Sequence, residues 1–391
     1  MAASFSSLAL TQVLPFLPLA QGDIDYQTER RSDPDLIADV LSQPSTSVIF
    51  VRDGLVAVPD GQAARVDFET AKMRLAGVPG QYILRALTGQ PGEGADDAKA
   101  QAKGVAASEG DPGIGENIGD TIDETANRLG IIPVFLGSYG AGSEHPQSVV
   151  ALDVSVFASR ISEPGDGGNP QAERNQVLQR ALQRFDWVSL IGFAPHASAR
   201  QAGEATTAVA LSNWRASQKY CPRCGSRVVP AMAGWAQRCV NEGCKAHRSP
   251  LFARIEPAVI VSIVDGKGRL LLQHNRAWKD PSHYSVCAGF VEAGENLEHA
   301  VKREVAEETG LALGEVKYLG SQPWPFPGSL MVAFKARALG TQVSVDGGET
   351  LDARFLSRDE FREALIVGRI AAPGKATVAR YMIEEWYGQE L

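Results

Sequence analysis

The apolar residues of the chain fall into short strand-like runs separated by turn residues. Residues 47–52 contain four consecutive apolar side chains, Asp53-Gly54 follows, and residues 55–58 are apolar again. An Asp-Gly pair between two apolar runs is typical of a β-hairpin. Because strand-like runs return at 131–136 and 149–154, we predict a mostly β N-terminal domain over residues 1–165.

Two segments interrupt this pattern. Residues 88–119 have no aromatic side chain and few large aliphatic ones, so burial there cannot offset the entropy cost of ordering. We therefore predict a flexible insertion. A second break, rich in Gly and Pro, spans 163–170, and helical spacing over 171–185 and 204–214 then predicts a helical connector at 171–216.

Beyond residue 254 the chain alternates strand-like and helix-like segments. Residues 258–264 and 270–273 are predicted strands joined by an Asp265-Gly266 turn. Alternation of this kind favours a mixed α/β domain, which we place at 254–391.

Composition narrows the classes of protein. The 391 residues are 44% hydrophobic and carry a net charge of -8. That charge argues against a broad basic face that coats nucleic acid, although a local basic site is compatible with it.

No apolar run approaches the ~18 residues of a membrane span, and the apolar stretch 8–20 holds two prolines without a preceding positive charge. We expect neither a membrane span nor a signal peptide.

Four of the five cysteines lie close together in sequence. Cys221 and Cys224 form one Cys-x-x-Cys knuckle, and Cys239 and Cys244 form a wider second one. Two such pairs predict a structural zinc ribbon over 217–250 in a reducing compartment, the cytoplasm. Redox chemistry at the first pair is the alternative, and His247 is an alternative ligand to Cys244.

An unusual concentration of carboxylates follows a glycine-containing loop. Asn296 is a good helix N-cap, apolar residues then recur every four positions, and Gly310 is a typical stop. Glu304, Glu307 and Glu308 project from one side of this helix and repel one another. A solvated acidic face is one interpretation. The other is a hard divalent cation, Mg²⁺ or Mn²⁺, bound by the carboxylates.

This stretch resembles the Nudix box, from Gly289 through Glu295 to the run that begins at Arg303-Glu304 and ends at Leu311. The resemblance implies an α/β (α+β) fold, the Nudix α/β/α sandwich with a mixed sheet. It also implies a set of roles near the metal. Glu304, Glu308 and the Ala288 carbonyl are implied as Mg²⁺ or Mn²⁺ ligands, Glu307 as a ligand or the group that activates water, and Arg303 with Glu295 as a salt bridge bracing the Gly289 loop.

A proline-rich segment follows ten residues after the box. Three prolines in five residues predict a stiff loop that displays Trp324 and Phe326. Such a loop can hold a planar ring by stacking, or it can plug the core. Cys287, just before the box, is expected to be a small buried residue rather than a nucleophile.

Together with the preceding cysteines, this segment is similar to the signature of the NADH pyrophosphatase subgroup of Nudix hydrolases. The resemblance extends weakly to the N-terminal domain. It implies one further metal carboxylate, Glu349, and a set of substrate-binding residues. That set comprises Phe252, Gln322, Pro323, Trp324, Pro325, Phe326, Pro327, Gly328 and Ser329, although Ala253 stands where the family has proline after the stacking aromatic.

The expected function is metal-dependent hydrolysis of NADH or NAD⁺ to a nicotinamide mononucleotide and AMP. The alternative is the same cleavage on NAD-capped RNA, and a more distant one is a non-enzymatic NAD-sensing module. The resemblance also implies a homodimer. Whether Glu307 or Glu349 acts as the base stays open.

Overall fold

A computed structural model of the protein describes residues 17–19, 22–63, 72–88, 122–140, 143, 146–161, 178–179 and 182–391. The chain divides into two compact units. One combines residues from 23–190 with 207–253, and the other combines residues from 1–22 with 191–206 and 254–391. The predicted insertion at 88–119 lies outside the described residues apart from Thr88, and so does the break at 163–170.

The first unit is built on a six-stranded sheet of order β4-β5-β1-β2-β6, with β3 paired to β1. Strands β1 and β5 run parallel and the other pairs antiparallel. The strands are β1 (Ser47–Arg52), β2 (Leu55–Pro59), β3 (Gly77–Pro79), β4 (Ile132–Tyr139), β5 (Gln147–Asp153) and β6 (Phe185–Ser189). Helices α1 (Leu36–Ser42), α2 (Gly80–Thr88), α3 (Ile122–Leu129) and α4 (Ser155–Ile161) accompany them.

The hairpin predicted from Asp53-Gly54 is present. Val51 pairs with Val56 and Arg52 with Leu55. Asp53 and Gly54 have φ angles of 51° and 76°, the two left-handed residues of a type I′ turn, whose twist matches that of the strands.

The predicted helical connector is only partly helical. Most of the predicted helix 171–185 lies outside the described residues, and its last residue, Phe185, begins strand β6. This strand pairs with β2 of the N-terminal sheet. The pairing joins segments far apart in the chain, so the pattern of apolar residues near Phe185 does not predict it. Helix α5 (Leu190–Phe193) and helix α6 (Ala199–Ser217) follow, and α6 contains the predicted 204–214.

The cysteine segment forms a three-stranded antiparallel sheet, β7-β8-β9. It is made of β7 (Val228–Ala231), β8 (Ala236–Cys239) and β9 (Leu251–Phe252), with the short helix α7 (Lys245–Arg248) between the last two strands.

The second unit has the expected mixed sheet between helices. Its order is β13-β14-β10-β11-β15, with β12 paired to β10, and only β10 and β14 run parallel. The elements are β10 (Glu256–Val264), β11 (Leu270–Asn275), β12 (Cys287–Phe290), α8 (Leu297–Thr309), β13 (Leu313–Trp324), β14 (Ser329–Ala338), β15 (Thr350–Leu356), α9 (Arg358–Ile366) and α10 (Val378–Tyr387).

Alternation along β10 explains the layers. Val259 and Val261 belong to one buried cluster with Val301 and Val305 of α8. Ile260 and Val264 belong to another with α9 and α10 side chains, among them Trp386. Because successive strand residues point to opposite faces, a strand covered by helices on both sides is largely apolar, as β10 is from Ala258 to Val264 apart from the buried Ser262.

The predicted stiff loop at 321–331 is mostly strand. Strand β13 continues through Pro323 to Trp324, strand β14 starts at Ser329, and only the four residues between them form a turn. Proline is excluded from central strands because it lacks the N–H group, but β13 is an edge strand with one hydrogen-bonded neighbour. Among the described residues, no helix is long and apolar enough to cross a membrane.

A buried ion pair joins β14 to α10. Lys335 is 2% exposed and its Nζ lies 2.6 Å from Glu385 Oε1. We expect Glu385→Ala to lower the free energy of unfolding by ~3 kcal/mol, because the Lys335 charge would stay buried without its carboxylate. Urea denaturation of the variant beside wild type measures this.

The matched control is Glu363→Ala, which removes a surface pair with Arg369 whose side chains are 69% and 64% exposed. That loss should stay below ~1 kcal/mol. Equal losses in the two variants would contradict the buried pair's role.

Candidate metal centres

The four cysteines of the ribbon converge. Among the described residues, they are the only group of three or more His, Cys, Asp or Glu side chains whose donor atoms all lie within 4.8 Å of one another. Cys224 and Cys239 Sγ are 3.4 Å apart, and Cys221 and Cys244 Sγ are 3.9 Å apart. The sulfur–sulfur edge of a tetrahedral site with Zn–S bonds of about 2.3 Å is ~3.8 Å, so the thiol cluster fits one zinc ion.

Tight turns present these sulfur atoms. Cys221 N–H donates to Ser226 O at 2.7 Å, and Gly225 N–H donates back to Cys221 O at 2.9 Å, with Gly225 at φ 74°. Hydrogen bonds from Ser226 lower the pKa of Cys224 to about 6, whereas burial raises the pKa of Cys239 to about 12. Cys224 is therefore largely thiolate at neutral pH, the form that binds metal.

The structure distinguishes His247 from the ligands. Its Nδ1 lies 2.8 Å from the Cys239 carbonyl oxygen, so the ring is hydrogen-bonded to the backbone of the ribbon and stands outside the thiol cluster. Cys244 instead lies with the other three cysteines.

In the second unit, a capped helix carries the carboxylates. Asn296 accepts a hydrogen bond from the N–H of His299, and Gly310 ends α8 at φ 68°. Glu308 is 4% exposed, whereas the Glu304 and Glu307 side chains are 15% and 60% exposed. The three glutamates that the sequence places on one side of the helix therefore differ in exposure, from the buried Glu308 to the exposed Glu307.

Arg303 connects this helix to the glycine loop. Its guanidinium donates to both oxygens of Glu295, at 2.9 and 2.8 Å, and to the Phe290 carbonyl at 2.9 Å. This is the ion pair that the resemblance implied. Hydrogen bonds from Arg303 hold the pKa of Glu295 well below its usual range, so the pair stays charged at all ordinary pH values. Nη1 also contacts Glu304 at 2.8 Å and Glu307 at 3.0 Å.

Gly289 makes room for Glu304. A Cβ atom built at Gly289 would overlap the Glu304 carboxylate. The carboxylate therefore lies directly against the backbone of β12, beside Ala288. Only glycine allows that approach.

Three side chains contact the carboxylate of Glu308. Its Oε2 accepts hydrogen bonds from Gln273 Nε2 at 3.0 Å and from the buried thiol of Cys287, and its Oε1 lies 3.5 Å from Thr350 Oγ1. Cys287 is 2% exposed, as expected for a buried residue. Burial raises its pKa well above the usual thiol value, so it remains a protonated donor to Glu308.

Glu349 approaches from the loop before β15. The Arg276 N–H donates to Glu349 O at 2.8 Å, its guanidinium donates to the Gly347 and Gly348 carbonyls, and Asp346 accepts the Glu349 N–H at 2.9 Å. Asn275 Nδ2 lies 3.4 Å from Glu349 Oε1. The loop is thereby fixed at the end of β11.

Charge repulsion links the three carboxylates. Burial raises the pKa of both Glu304 and Glu308, and the negative charge of Glu349 adds to the rise in each. Their donor atoms do not all lie within 4.8 Å of one another. Arg303 contacts Glu304, while Gln273 and Cys287 contact Glu308. Hard oxygen donors under mutual repulsion fit a divalent cation, which would relieve it.

The predicted substrate-binding residues are spread over two places. Gln322 is fully buried, with Nε2 donating to Ala376 O at 2.9 Å and Oε1 accepting the Val378 N–H at 2.8 Å. Its amide thus holds the start of α10. Trp324 and Phe326 are half-buried and pack edge to face at 5.1 Å, in the turn region that contains the remaining predicted residues of 323–329. Phe252 is 59% exposed on β9 of the first unit.

Several residues of this site were not predicted from sequence. Gln273 and Thr350 reach Glu308 from β11 and β15, and Arg276 reaches the Glu349 loop from the end of β11. These contacts depend on strand pairing, so no local pattern reports them. Asp346 precedes Gly347-Gly348, and that Asp-Gly turn signal was available.

This geometry agrees with two family models. Residues 254–375 match the NUDIX domain, and residues 216–247 match the NADH pyrophosphatase zinc ribbon domain. The chain therefore contains a NUDIX domain preceded by a zinc ribbon of the NADH pyrophosphatase type.

Among curated proteins, the chain is similar to the NAD-capped RNA hydrolase NudC of Mycobacterium bovis (strain BCG / Pasteur 1173P2). The two are 42% identical over 192 residues, which is 46% of this chain and 59% of the relative. It is also similar to the human NAD-capped RNA hydrolase NUDT12, 33% identical over 194 residues, 48% of this chain and 42% of the relative. The chain thus spans about half the length of these relatives.

Solved structures align with less of the chain. A NUDIX hydrolase from Nitrosomonas europaea covers 44% of this chain and 95% of its own, at 22% identity and a TM-score of 0.33. A MutT NUDIX hydrolase from Burkholderia pseudomallei covers 34% and 98%, at 20% identity and a TM-score of 0.28.

For the ribbon, we expect one zinc ion per chain, lost in Cys244→Ser and retained in His247→Ala. The four thiols form the cluster, whereas the His247 ring is bonded to the backbone. Zinc content after gel filtration, measured by atomic emission, tests this. Retention of zinc by Cys244→Ser together with its loss from His247→Ala would reverse the assignment.

For the carboxylate site, we expect Gly289→Ala to weaken Mn²⁺ binding at least ~10-fold, which is the usual effect of mutating a group that supports a metal ligand. The added methyl must displace the Glu304 carboxylate, the end of a flexible side chain, so stability should fall by less than ~1 kcal/mol. Electron paramagnetic resonance titration measures free Mn²⁺. In the control, Gly340→Ala, the methyl meets no atom within 4 Å, and Mn²⁺ binding should be unchanged. Equal Mn²⁺ affinity in both variants would contradict the role of Gly289.

Proposed function

We propose that the protein hydrolyses the pyrophosphate bond of NADH and NAD⁺. Water adds to one phosphorus, the bond from that phosphorus to the bridging oxygen breaks, and the products are a nicotinamide mononucleotide and AMP, with protons released to solvent. The observation that carries the proposal is the mutual repulsion of Glu304, Glu308 and Glu349, with the Glu304 carboxylate against Gly289 of β12, in a chain that also matches the NADH pyrophosphatase zinc ribbon.

The residues that would hold the catalytic cation are Glu304, Glu308, Glu349 and the Ala288 carbonyl. Bound there, Mg²⁺ or Mn²⁺ would neutralise diphosphate charge and lower the pKa of a coordinated water. Arg303 and Glu295 fix the end of β12, the strand that carries Ala288, through the Phe290 carbonyl.

Each carboxylate has its own support. Cys287 and Gln273 donate to Oε2 of Glu308, and Oε1, whose contact with Thr350 Oγ1 is long at 3.5 Å, is the oxygen proposed to bind the cation. Glu307 and Glu349 are the two groups that can orient or deprotonate the attacking water. Glu307 is 60% exposed and pairs with Arg303, and Glu349 is bonded to Asn275.

The aromatic pair is proposed to bind the dinucleotide. Trp324, at the end of β13, and Phe326, in the turn that follows, pack edge to face, and both are half-buried. Partly exposed aromatic rings of this kind can stack on a planar base or nicotinamide. Gln322 is proposed to serve binding indirectly, by fixing the residues before α10.

The second candidate is removal of an NAD cap from RNA, the same bond cleavage with a larger leaving group. The similar mycobacterial and human proteins are named NAD-capped RNA hydrolases, which favours it. We also propose that the protein is a homodimer, that it works in a reducing compartment, and that its catalytic cation is Mg²⁺ or Mn²⁺. Sedimentation velocity would test the first of these.

The deciding experiment compares wild type with Glu308→Gln on NADH, NAD⁺ and NAD-capped RNA, with Mg²⁺ or Mn²⁺ present. We expect AMP from NADH with wild type, and a loss of at least ~100-fold in the variant, since removing a metal carboxylate costs several kcal/mol of transition-state stabilisation. Glu298→Gln is the control, an exposed glutamate on the first turn of the same helix.

The outcomes separate the hypotheses. Faster cleavage of capped RNA than of free NADH at matched concentration would make decapping the main activity. No cleavage of any substrate, with Mn²⁺ still bound, would leave the non-enzymatic NAD-sensing module. The single variants Glu307→Gln and Glu349→Gln would assign the base. The variant that loses both activity and Mn²⁺ affinity identifies a metal ligand, and the variant that loses activity alone identifies the base.

A further inference from the structure

The zinc ribbon is strongly basic in an acidic protein. Residues 216–253 contain six Lys and Arg and one Glu, a formal charge of +5, whereas the whole chain carries -8. Four thiolates around one Zn²⁺ add -2, so the loaded ribbon stays at about +3. At physiological salt, charges interact over about 8 Å, so a ligand at the ribbon meets this local charge and not the net charge.

These cations are available to a ligand. All six side chains are exposed, and no ion pair engages any of them within the described part of the chain. The one acidic residue of the segment, Glu242, is also exposed. The six are Lys219, Arg223, Arg227, Arg238, Lys245 and Arg248.

The register of the ribbon sheet places two of the arginines with two aromatic residues on one face. Tyr220 pairs with Arg227, Val229 with Arg238, and Ala236 with Phe252. Directly paired antiparallel residues, and residues two apart on a strand, point to the same side. Tyr220, Arg227, Arg238 and Phe252 therefore share a face, which we call the ribbon face.

The opposite side of the same sheet is used by the zinc centre. Val228, Cys239 and Leu251 lie there and belong to the small core around the cysteines. On the ribbon face, Ala236 is fully buried, but Tyr220 and Phe252 are 60% and 59% exposed and the two arginines are exposed as well. Two large aromatic side chains on a small sheet remain in water beside guanidinium groups.

We propose that the ribbon face binds single-stranded RNA. Exposed aromatic rings stack on unpaired bases and arginines contact the phosphates, the combination found on sheet surfaces that bind single strands. An acidic protein would also be drawn by the charge, but the phosphates and unpaired bases of a single strand match the arginines and the rings together. The proposal deepens the proposed function, in which RNA is the group attached to the dinucleotide, and it rests on that function for the identity of the nucleic acid.

The first test reverses the charge of the face. Full-length Arg227→Glu/Arg238→Glu is compared with wild type for binding an uncapped single-stranded RNA of about 16 nucleotides, the upper site size of such surfaces, by fluorescence anisotropy. We expect at least ~10-fold weaker binding. The slope of log K against log salt should fall by at least ~1.4, since each lost phosphate contact removes about 0.7.

The control has the same charge change elsewhere. Lys267→Glu/Arg362→Glu alters two exposed cations of the second unit, and RNA affinity should stay within about twofold. Zinc content should equal that of wild type in both double variants, which establishes that the ribbon is folded.

The second test examines stacking. Tyr220→Ala should weaken single-strand binding ~5-fold or more, because stacking on one base contributes at least ~1 kcal/mol, and Tyr220→Phe should retain it. Binding of an RNA duplex of the same sequence should not respond to Tyr220→Ala, since its bases are already stacked.

NADH hydrolysis separates this proposal from the preceding one. Arg227→Glu/Arg238→Glu should cleave NADH like wild type while its KM for capped RNA rises. If NADH is not cleaved by wild type but the ribbon variants alone lose RNA, the proposed function fails and the RNA face stands. Wild-type RNA affinity in Arg227→Glu/Arg238→Glu, or no RNA binding by wild type, would overturn the ribbon face.

Discussion

The guanidinium of Arg303 is the contact on which the carboxylate site depends. It neutralises Glu295 with two short hydrogen bonds, reaches the Phe290 carbonyl, and contacts Glu304 and Glu307 on its own helix. A planar, permanently charged group with several donors can join a loop to a helix in one plane, which a lysine could not do. Without it, the carboxylates of Glu295, Glu304 and Glu307 would lie close together with no cation between them.

The two metal centres have opposite physical designs. The ribbon cysteines already lie at the separations of a tetrahedral zinc site, so the metal would stabilise an arrangement that closes on itself. In the carboxylate centre, burial and repulsion raise the pKa values of Glu304 and Glu308 while neighbouring side chains hold their oxygens apart. Carboxylates held apart in this way suit the proposed exchangeable cation of a hydrolase rather than a closed structural site.

Charge is distributed unevenly along the chain, and this changes the meaning of its acidity. The net charge of -8 describes the protein at a distance, but the short ribbon carries six cations and one acid. Because screening limits each charge to its surroundings, one molecule can have an acidic metal site and a basic surface. The sequence-based argument against a broad nucleic-acid-binding face and the proposal of a local one are therefore compatible.

The sequence by itself determined the features that neighbouring residues specify: the Asp53-Gly54 hairpin, the helix from Asn296 to Gly310, and the cysteine knuckles. The Nudix resemblance also supplied the layered fold. Tertiary structure alone decided the rest. Pro323 is tolerated in a strand because that strand lies at the sheet edge, Phe185 extends the N-terminal sheet rather than a helix, and Glu308 is held by Gln273 and Cys287 from two other strands. Each depends on which strands are neighbours, and pairing between distant segments leaves no periodic signal in either one.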